Sequence, residues 1–148
     1  MLKTFLLRFF IITIFMFSLS SFALQAPSPV GLWKTYDLNH NARGLVKFSI
    51  VHGSLIGSIV NDFPSSSSNP VCSVCKGALH NKPLIGMTII WGLIPKANKW
   101  ENGYVLDIDS GNIYRCKISI SADNKILHFS PYMGIPLFGP TIDWVREG

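Results

Sequence analysis

The residues with the most reactive side chains in this 148-residue sequence are three cysteines. Cys72 and Cys75 form a CxxC pair inside a stretch rich in serine and proline, and Cys116 lies further along the chain. A CxxC pair can act as a redox centre at a helix N-terminus, supply two thiolates to a zinc site, or form a structural disulfide. The flanking proline and glycine disfavour the helix that a redox centre needs. Zinc would need further ligands, for which Cys116 and His80 are the candidates.

The other polar residues form no recognisable catalytic or metal-binding motif. The four histidines lack metal-ligand spacing, and the sequence has no nucleophile elbow, P-loop or dinucleotide fingerprint. Asp37 begins a segment like the start of a calcium loop, but Ala42 and Phe48 stand where such a loop needs glycine and glutamate. Asp107 and Asp109 flank a turn with no histidine or nucleophile nearby in sequence. The sequence therefore predicts polar turns, no catalytic residue, no metal, no cofactor and no enzyme.

Residues 1–23 have the organisation of a secretory signal peptide. Two basic residues precede a nearly unbroken apolar run over residues 9–17, and small residues follow at Ser21 and Ala23. This order is typical of a signal peptidase site, with cleavage after Ala23. The alternative is an uncleaved membrane anchor, because the apolar stretch is nearly long enough to span a bilayer. We expect an exported protein, periplasmic or extracellular, with no stable membrane span after cleavage.

The predicted export favours a disulfide between cysteines, because disulfides form and persist in oxidising compartments. We therefore predict a disulfide between Cys72 and Cys75. Cys116 alternates with Lys117 and shares the apolar face of its segment with Tyr114 and Ile118. This pattern predicts that Cys116 is a buried free thiol.

Composition and charge narrow the class of protein further. The chain is 48% hydrophobic and only 14% charged, which argues against intrinsic disorder of the whole chain. All 12 glycines and all 9 prolines follow residue 23, a distribution that excludes a helical bundle. The net charge of +5 comes from scattered basic residues, whereas nucleic-acid binding requires a clustered basic face. We predict no nucleic-acid partner.

The body of the chain has the alternating pattern of short β-strands. We predict a linker over residues 24–29 and one domain over 30–148, with an irregular loop at 61–83 that is too long to be a simple turn. Strands joined by tight turns favour an antiparallel up-and-down β-barrel, with an open sandwich as the alternative. Eight strands are enough to enclose one small ligand. The predicted strands cover residues 32–36, 46–50, 55–60, 87–91, 104–107, 113–120, 126–130 and 142–146.

Seven short motifs follow one another along the domain. They are Gly31-Leu32-Trp33-Lys34-Thr35, residues 53–60, Cys72-x-x-Cys75 with Lys76-Gly77, residues 81–86, residues 100–103, residues 107–114 and residues 139–146. Together they resemble the bacterial family of exported proteins known as domain of unknown function number 2147, over nearly all of residues 30–146. The resemblance implies a lipocalin-like barrel and carries over no catalytic residue. The chain departs from the family pattern at Ile108, where proline is usual.

Gly31, Trp33 and Arg146 resemble the arrangement that closes the floor of a lipocalin barrel. In that arrangement an early tryptophan plugs one end of the barrel, and a late arginine lies over its ring. The contact combines burial of a large ring with a cation–π interaction. We predict that these three residues are structural.

The leading functional hypothesis is a binding module for a small apolar or amphipathic ligand held in the barrel. The alternatives are a thiol or metal protein that uses Cys72 and Cys75, and a structural envelope or stress protein that acts through an apolar segment at residues 131–138. The aromatic residues expected to line or gate the barrel are Trp91, Trp100, Tyr104, Phe129, Tyr132 and Phe138.

Overall fold

The computed structural model describes residues 26–62 and 70–148. The predicted signal peptide at residues 1–23 and the middle of the predicted loop at 61–83 lie outside the described residues. Within the described ranges, no helix is long and apolar enough to cross a membrane.

Eight antiparallel strands close into one barrel, which confirms the predicted fold class. Each strand pairs with its neighbours in the chain, and β1 pairs with β8, with Trp33 opposite Arg146. In the described parts of the connections, two short 3₁₀ helices lie at Gly77–Leu79 and Pro136–Phe138. The strands are β1 (Gly31–Tyr36), β2 (Ala42–Val51), β3 (Ser54–Asp62), β4 (Thr88–Lys96), β5 (Lys99–Leu106), β6 (Ile113–Ile120), β7 (Ile126–Tyr132) and β8 (Ile142–Arg146).

The barrel interior follows from the period-two alternation of the strands. On β2, Val46 and Phe48 are buried, whereas Lys47 between them is exposed. Gly57 on β3 makes room for this pair, because a Cβ there would lie 3.1 Å from each of their side chains. A larger residue at position 57 would force the packed interior to shift.

Several strands are longer than the sequence predicts. β5 begins at Lys99 instead of Tyr104, and β3 extends to Asp62, into the predicted loop. Gly103 lies inside β5. In the folded barrel a Cβ at position 103 would overlap the side chain of Leu93, so this glycine permits Leu93 of β4 to pack against β5.

Trp33 and Arg146 close one pole of the barrel, which we call the floor. Trp33 is fully buried, and its indole Nε1 donates a hydrogen bond to the Pro29 carbonyl oxygen at 2.7 Å. The Arg146 guanidinium lies 4.2 Å from the centroid of the Trp33 ring. Arg146 also donates to the carbonyl oxygens of Ser28 and Asn124, each at 2.6 Å. Through these two hydrogen bonds, Arg146 joins the residues that precede β1 to the β6–β7 turn.

The floor also explains the glycine at position 31. Gly31 has a φ of +130°, which L side chains rarely adopt, and a Cβ there would lie 2.6 Å from Arg146 Nη1. A side chain at this position would displace the guanidinium from Trp33.

Residues 70–84 form a compact segment, which we call the disulfide loop. Its two arms are held by hydrogen bonds from the Cys72 amide to the Lys82 carbonyl and from the Leu84 amide to the Pro70 carbonyl, both 2.9 Å. Cys72 and Cys75 are bonded to each other and buried in a small apolar cluster outside the main core. The described part of the predicted irregular loop is therefore an ordered element of the fold.

Candidate ligand-binding cavity

The pole opposite the floor opens into a cavity of about 430 Å³. In an up-and-down barrel, the ends of odd-numbered strands and the starts of even-numbered strands meet at the same pole. The residues that line the cavity follow this rule. Its apolar lining includes Leu38, Val46, Ile59, Ile89, Val105, Leu106, Ile108, Phe129, Pro131, Ile142 and Trp144.

Aromatic rings form one part of the cavity wall. Trp144 on β8 stacks on Phe129 of β7, with ring centroids 4.4 Å apart and planes 20° apart. Phe48 lies deeper, with its centroid 6.3 Å from that of Trp144. The Trp144 Nε1 donates a hydrogen bond to the Tyr36 carbonyl oxygen at 3.3 Å. The polar atom of the indole is thus engaged by the protein, and its ring contributes apolar surface to the cavity.

Polar groups of the wall are likewise paired within the protein. Thr35 is buried, and its hydroxyl donates to the Gly44 carbonyl oxygen at 3.2 Å. Across residues 26–62 and 70–148, every fully buried side-chain nitrogen or oxygen has a hydrogen-bond partner. The inner wall therefore favours an apolar guest over one that needs several hydrogen bonds deep in the barrel.

The charged side chains that line the cavity lie at its open end, which we call the mouth. Arg43 on β2 donates to both carboxylate oxygens of Asp109, at 2.7 Å each, and so joins β2 to the β5–β6 turn. Asp37 accepts hydrogen bonds from the amides of Asn39 and Asn41. These bonds, chiefly that from Asn41, lower the pKa of Asp37 and keep it ionised. Asp37 shapes the β1–β2 turn, the role that the sequence favours over a calcium loop.

The predicted ligand-binding aromatics lie in different places. Phe129 lines the cavity. Trp91 and Tyr104 stack on each other on the outer wall, with centroids 5.9 Å apart, and Arg115 lies 4.3 Å from the Tyr104 centroid. The alternation explains this placement, because their neighbours Ile90 and Val105 are the residues that face inward.

Two of the remaining predicted aromatics, Trp100 and Tyr132, also lie away from the cavity lining. Trp100 packs against the main core, and Tyr132 is buried and borders a separate groove with Arg115 and Met133. The side chain of Phe138 lies outside the described part of the structure. Of the five predicted aromatics whose side chains are described, Phe129 alone lines the cavity.

Sequence reasoning missed several residues of the cavity wall, notably Tyr36, Tyr114 and Trp144. Tyr36 and Tyr114 lie at the mouth ends of β1 and β6, and Trp144 lies midway along β8. They could have been identified from the strand order, because the ends of odd-numbered strands and the starts of even-numbered strands meet at the mouth. The inward-facing residues near those positions are then the candidates for the cavity wall. Aromatic residue type alone does not distinguish the inner wall from the outer wall.

The cysteines separate into two places. The disulfide between Cys72 and Cys75 confirms the predicted pairing. Cys116 is free and fully buried in the main core, where burial raises the pKa of its thiol to about 12. Among the described residues, no three histidine, cysteine, aspartate or glutamate side chains are grouped as a metal site requires. The structure does not bring Cys116 to the CxxC pair.

We expect Cys116 to resist thiol-labelling reagents in the native protein, because the thiolate is the reactive species and this thiol is both buried and protonated at neutral pH. Iodoacetamide labelling followed by intact mass measurement should show no adduct in the native state and one adduct in urea without reductant. Rapid native labelling of Cys116 would show that the interior of β6 opens readily.

The closed eight-strand barrel with one plugged pole and one open pole defines a lipocalin-like fold. A solved structure with this fold is that of protein HP1028 from the human pathogen Helicobacter pylori, which is described as belonging to the lipocalin family. The two chains superimpose with a TM-score of 0.70 and 20% sequence identity over 84% of each chain. The present chain belongs to the family described as "Uncharacterized protein conserved in bacteria (DUF2147)", whose model matches residues 31–146. The comparison with curated proteins found no match.

Proposed function

We propose that the protein is an exported, non-enzymatic binding module whose barrel holds one small apolar or amphipathic molecule. The observation that carries this proposal is the cavity of about 430 Å³. Its volume falls within the range of roughly 300–1,000 Å³ that is usual for small-molecule sites. The wall is apolar and the mouth is polar, so a guest would place its apolar body inside and any polar end among Asp37, Arg43 and Asp109.

Two features support export. The leader has the basic, apolar and small-residue order of a signal peptide. The Cys72–Cys75 disulfide fits an oxidising compartment. An exported carrier for apolar molecules would act where such molecules are poorly soluble and need a protein to hold them.

Fluorescence titration with N-phenyl-1-naphthylamine tests the proposal. This neutral apolar fluorophore emits weakly in water and strongly in a dry apolar site. We expect saturable enhancement with one site per chain, because the cavity offers one concave, largely apolar surface. Enhancement that rises linearly without saturation, or its absence, would contradict the proposed function.

Tyr104→Phe is the matched control for the titration. Tyr104 lies on the outer wall, where its ring stacks on Trp91 and the Arg115 guanidinium lies over it, so this substitution should leave the affinity unchanged if the probe enters the barrel. A large loss of affinity in Tyr104→Phe would instead place the probe on the outer wall.

A further inference from the structure

The disulfide loop packs on residues that also form the cavity wall. Cys72 and Cys75 are 1% and 3% exposed, and they share an apolar cluster with Ile59 and Leu106. Ile59 and Leu106 also line the cavity. The cluster is thus continuous with the cavity wall. A structural change in the disulfide loop can alter the cavity through the side chains of Ile59 and Leu106.

A second contact joins the loop to the mouth directly. Gly111, in the β5–β6 turn, has a φ of +73° and lies against the backbone of Val74, between the two cysteines. A Cβ at position 111 would overlap the Val74 carbonyl oxygen. The Gly111 amide donates to the Asp107 carbonyl oxygen at 2.7 Å, so the residue that the loop contacts also closes the turn.

The β5–β6 turn is itself part of the mouth. The Asp107 carboxylate accepts hydrogen bonds from the Asp109 amide at 3.0 Å and from the Ser110 hydroxyl at 2.6 Å. These bonds fix the position of Asp109, which pairs with Arg43. Asp107, Asp109 and Arg43 all line the cavity.

We propose that the disulfide loop is a positioning element for the binding site. The Cys72–Cys75 bond holds the Val74 carbonyl against Gly111, and this contact fixes the turn whose Asp109 reaches Arg43. The loop thereby keeps the mouth in one arrangement before a ligand arrives. Preorganisation of this kind increases affinity by reducing the ordering that must accompany binding. The consequence for affinity rests on the proposed function, whereas the effect on the turn does not.

Hydrogen exchange and probe binding in a Cys72→Ala/Cys75→Ala variant test the inference. We expect the amides of residues 107–112 to exchange at least about tenfold faster, because local opening depends on local contacts. The amides of Trp33 and Leu127, near the floor, should keep their wild-type rates. The dissociation constant for N-phenyl-1-naphthylamine should rise by about fivefold through lost preorganisation.

Two further variants separate positioning from general destabilisation. Gly111→Ala disturbs the same contact from the other side and leaves the disulfide intact, so it should reproduce the faster exchange of the turn. Val74→Ala is the matched control, because the contact is made by the backbone carbonyl and the Val74 side chain is 42% exposed. Val74→Ala should leave both exchange and affinity unchanged.

If the amides of residues 107–112 exchange at wild-type rates in the Cys72→Ala/Cys75→Ala variant, the inference is overturned. Faster exchange spread equally over the whole barrel would overturn it too, because the disulfide would then stabilise the fold without acting on the mouth. If wild-type protein fails to bind the probe, the proposed function fails, and the exchange pattern alone still decides whether the loop positions the turn.

Discussion

Replacing Trp33 by alanine is expected to lower the free energy of unfolding by about 3–5 kcal/mol, the usual range for removal of a large buried ring. Trp33 is fully buried at the floor, where it contacts the Arg146 guanidinium and donates a hydrogen bond to Pro29. Alanine would leave a cavity at the floor end of the main core and would remove the ring over which the Arg146 guanidinium lies. Urea denaturation followed by circular dichroism measures this change.

Arg146→Ala provides the comparison for Trp33→Ala. The guanidinium is partly exposed, and water can replace some of its hydrogen bonds to Ser28 and Asn124, so its loss should cost less than that of Trp33. A change below about 1 kcal/mol for Trp33→Ala, a typical value for an average substitution, would show that Trp33 does not close the barrel.

Replacing Val105 by phenylalanine is expected to weaken probe binding by more than about tenfold, which corresponds to about 1.4 kcal/mol. Val105 faces inward on β5 and lines the cavity, so the larger ring would occupy the space proposed for the ligand. In a fully packed core the same change would typically cost about 1–3 kcal/mol of stability. Because Val105 borders the cavity, the ring has space to enter, and the expected loss of stability is below about 1 kcal/mol. Probe titration and urea denaturation of the same variant measure the two effects.

Val145→Phe is the matched control for the cavity-filling change. Val145 lies on β8 with 39% of its surface exposed and does not line the cavity. The same substitution there should leave probe affinity at the wild-type value. Equal affinity in Val105→Phe and wild type would mean that the probe binds elsewhere.

The sequence was sufficient to predict the barrel because its local signals agree. Alternation on β2 and β6 and the short, turn-forming connections between most of the strands both indicate an antiparallel meander. The number of strands and their order are as predicted. The disulfide followed from the short CxxC spacing and the predicted export, and both kinds of evidence are local in the chain.

The cavity wall was harder to predict because it depends on which residues of each strand face inward and on the register between neighbouring strands. Trp91 and Ile90 are adjacent in sequence, yet one lies on the outer wall and the other in the core. A shift of one residue in the assumed register exchanges the two faces of a strand. The contact of Val74 with Gly111 has no sequence signal, because a backbone carbonyl makes it across a separation of 37 residues.

The most direct test of a ligand site in the barrel uses the indole N–H signals of the four tryptophans in a ¹⁵N–¹H NMR spectrum. The Trp144 Nε1 reports on the cavity wall, and the Trp33 Nε1 reports on the floor. On addition of N-phenyl-1-naphthylamine, the Trp144 signal should shift progressively to saturation, and the Trp33 signal should stay in place. A stationary Trp144 signal, with either no change elsewhere or a shift of Trp91 on the outer wall, would contradict a binding site inside the barrel.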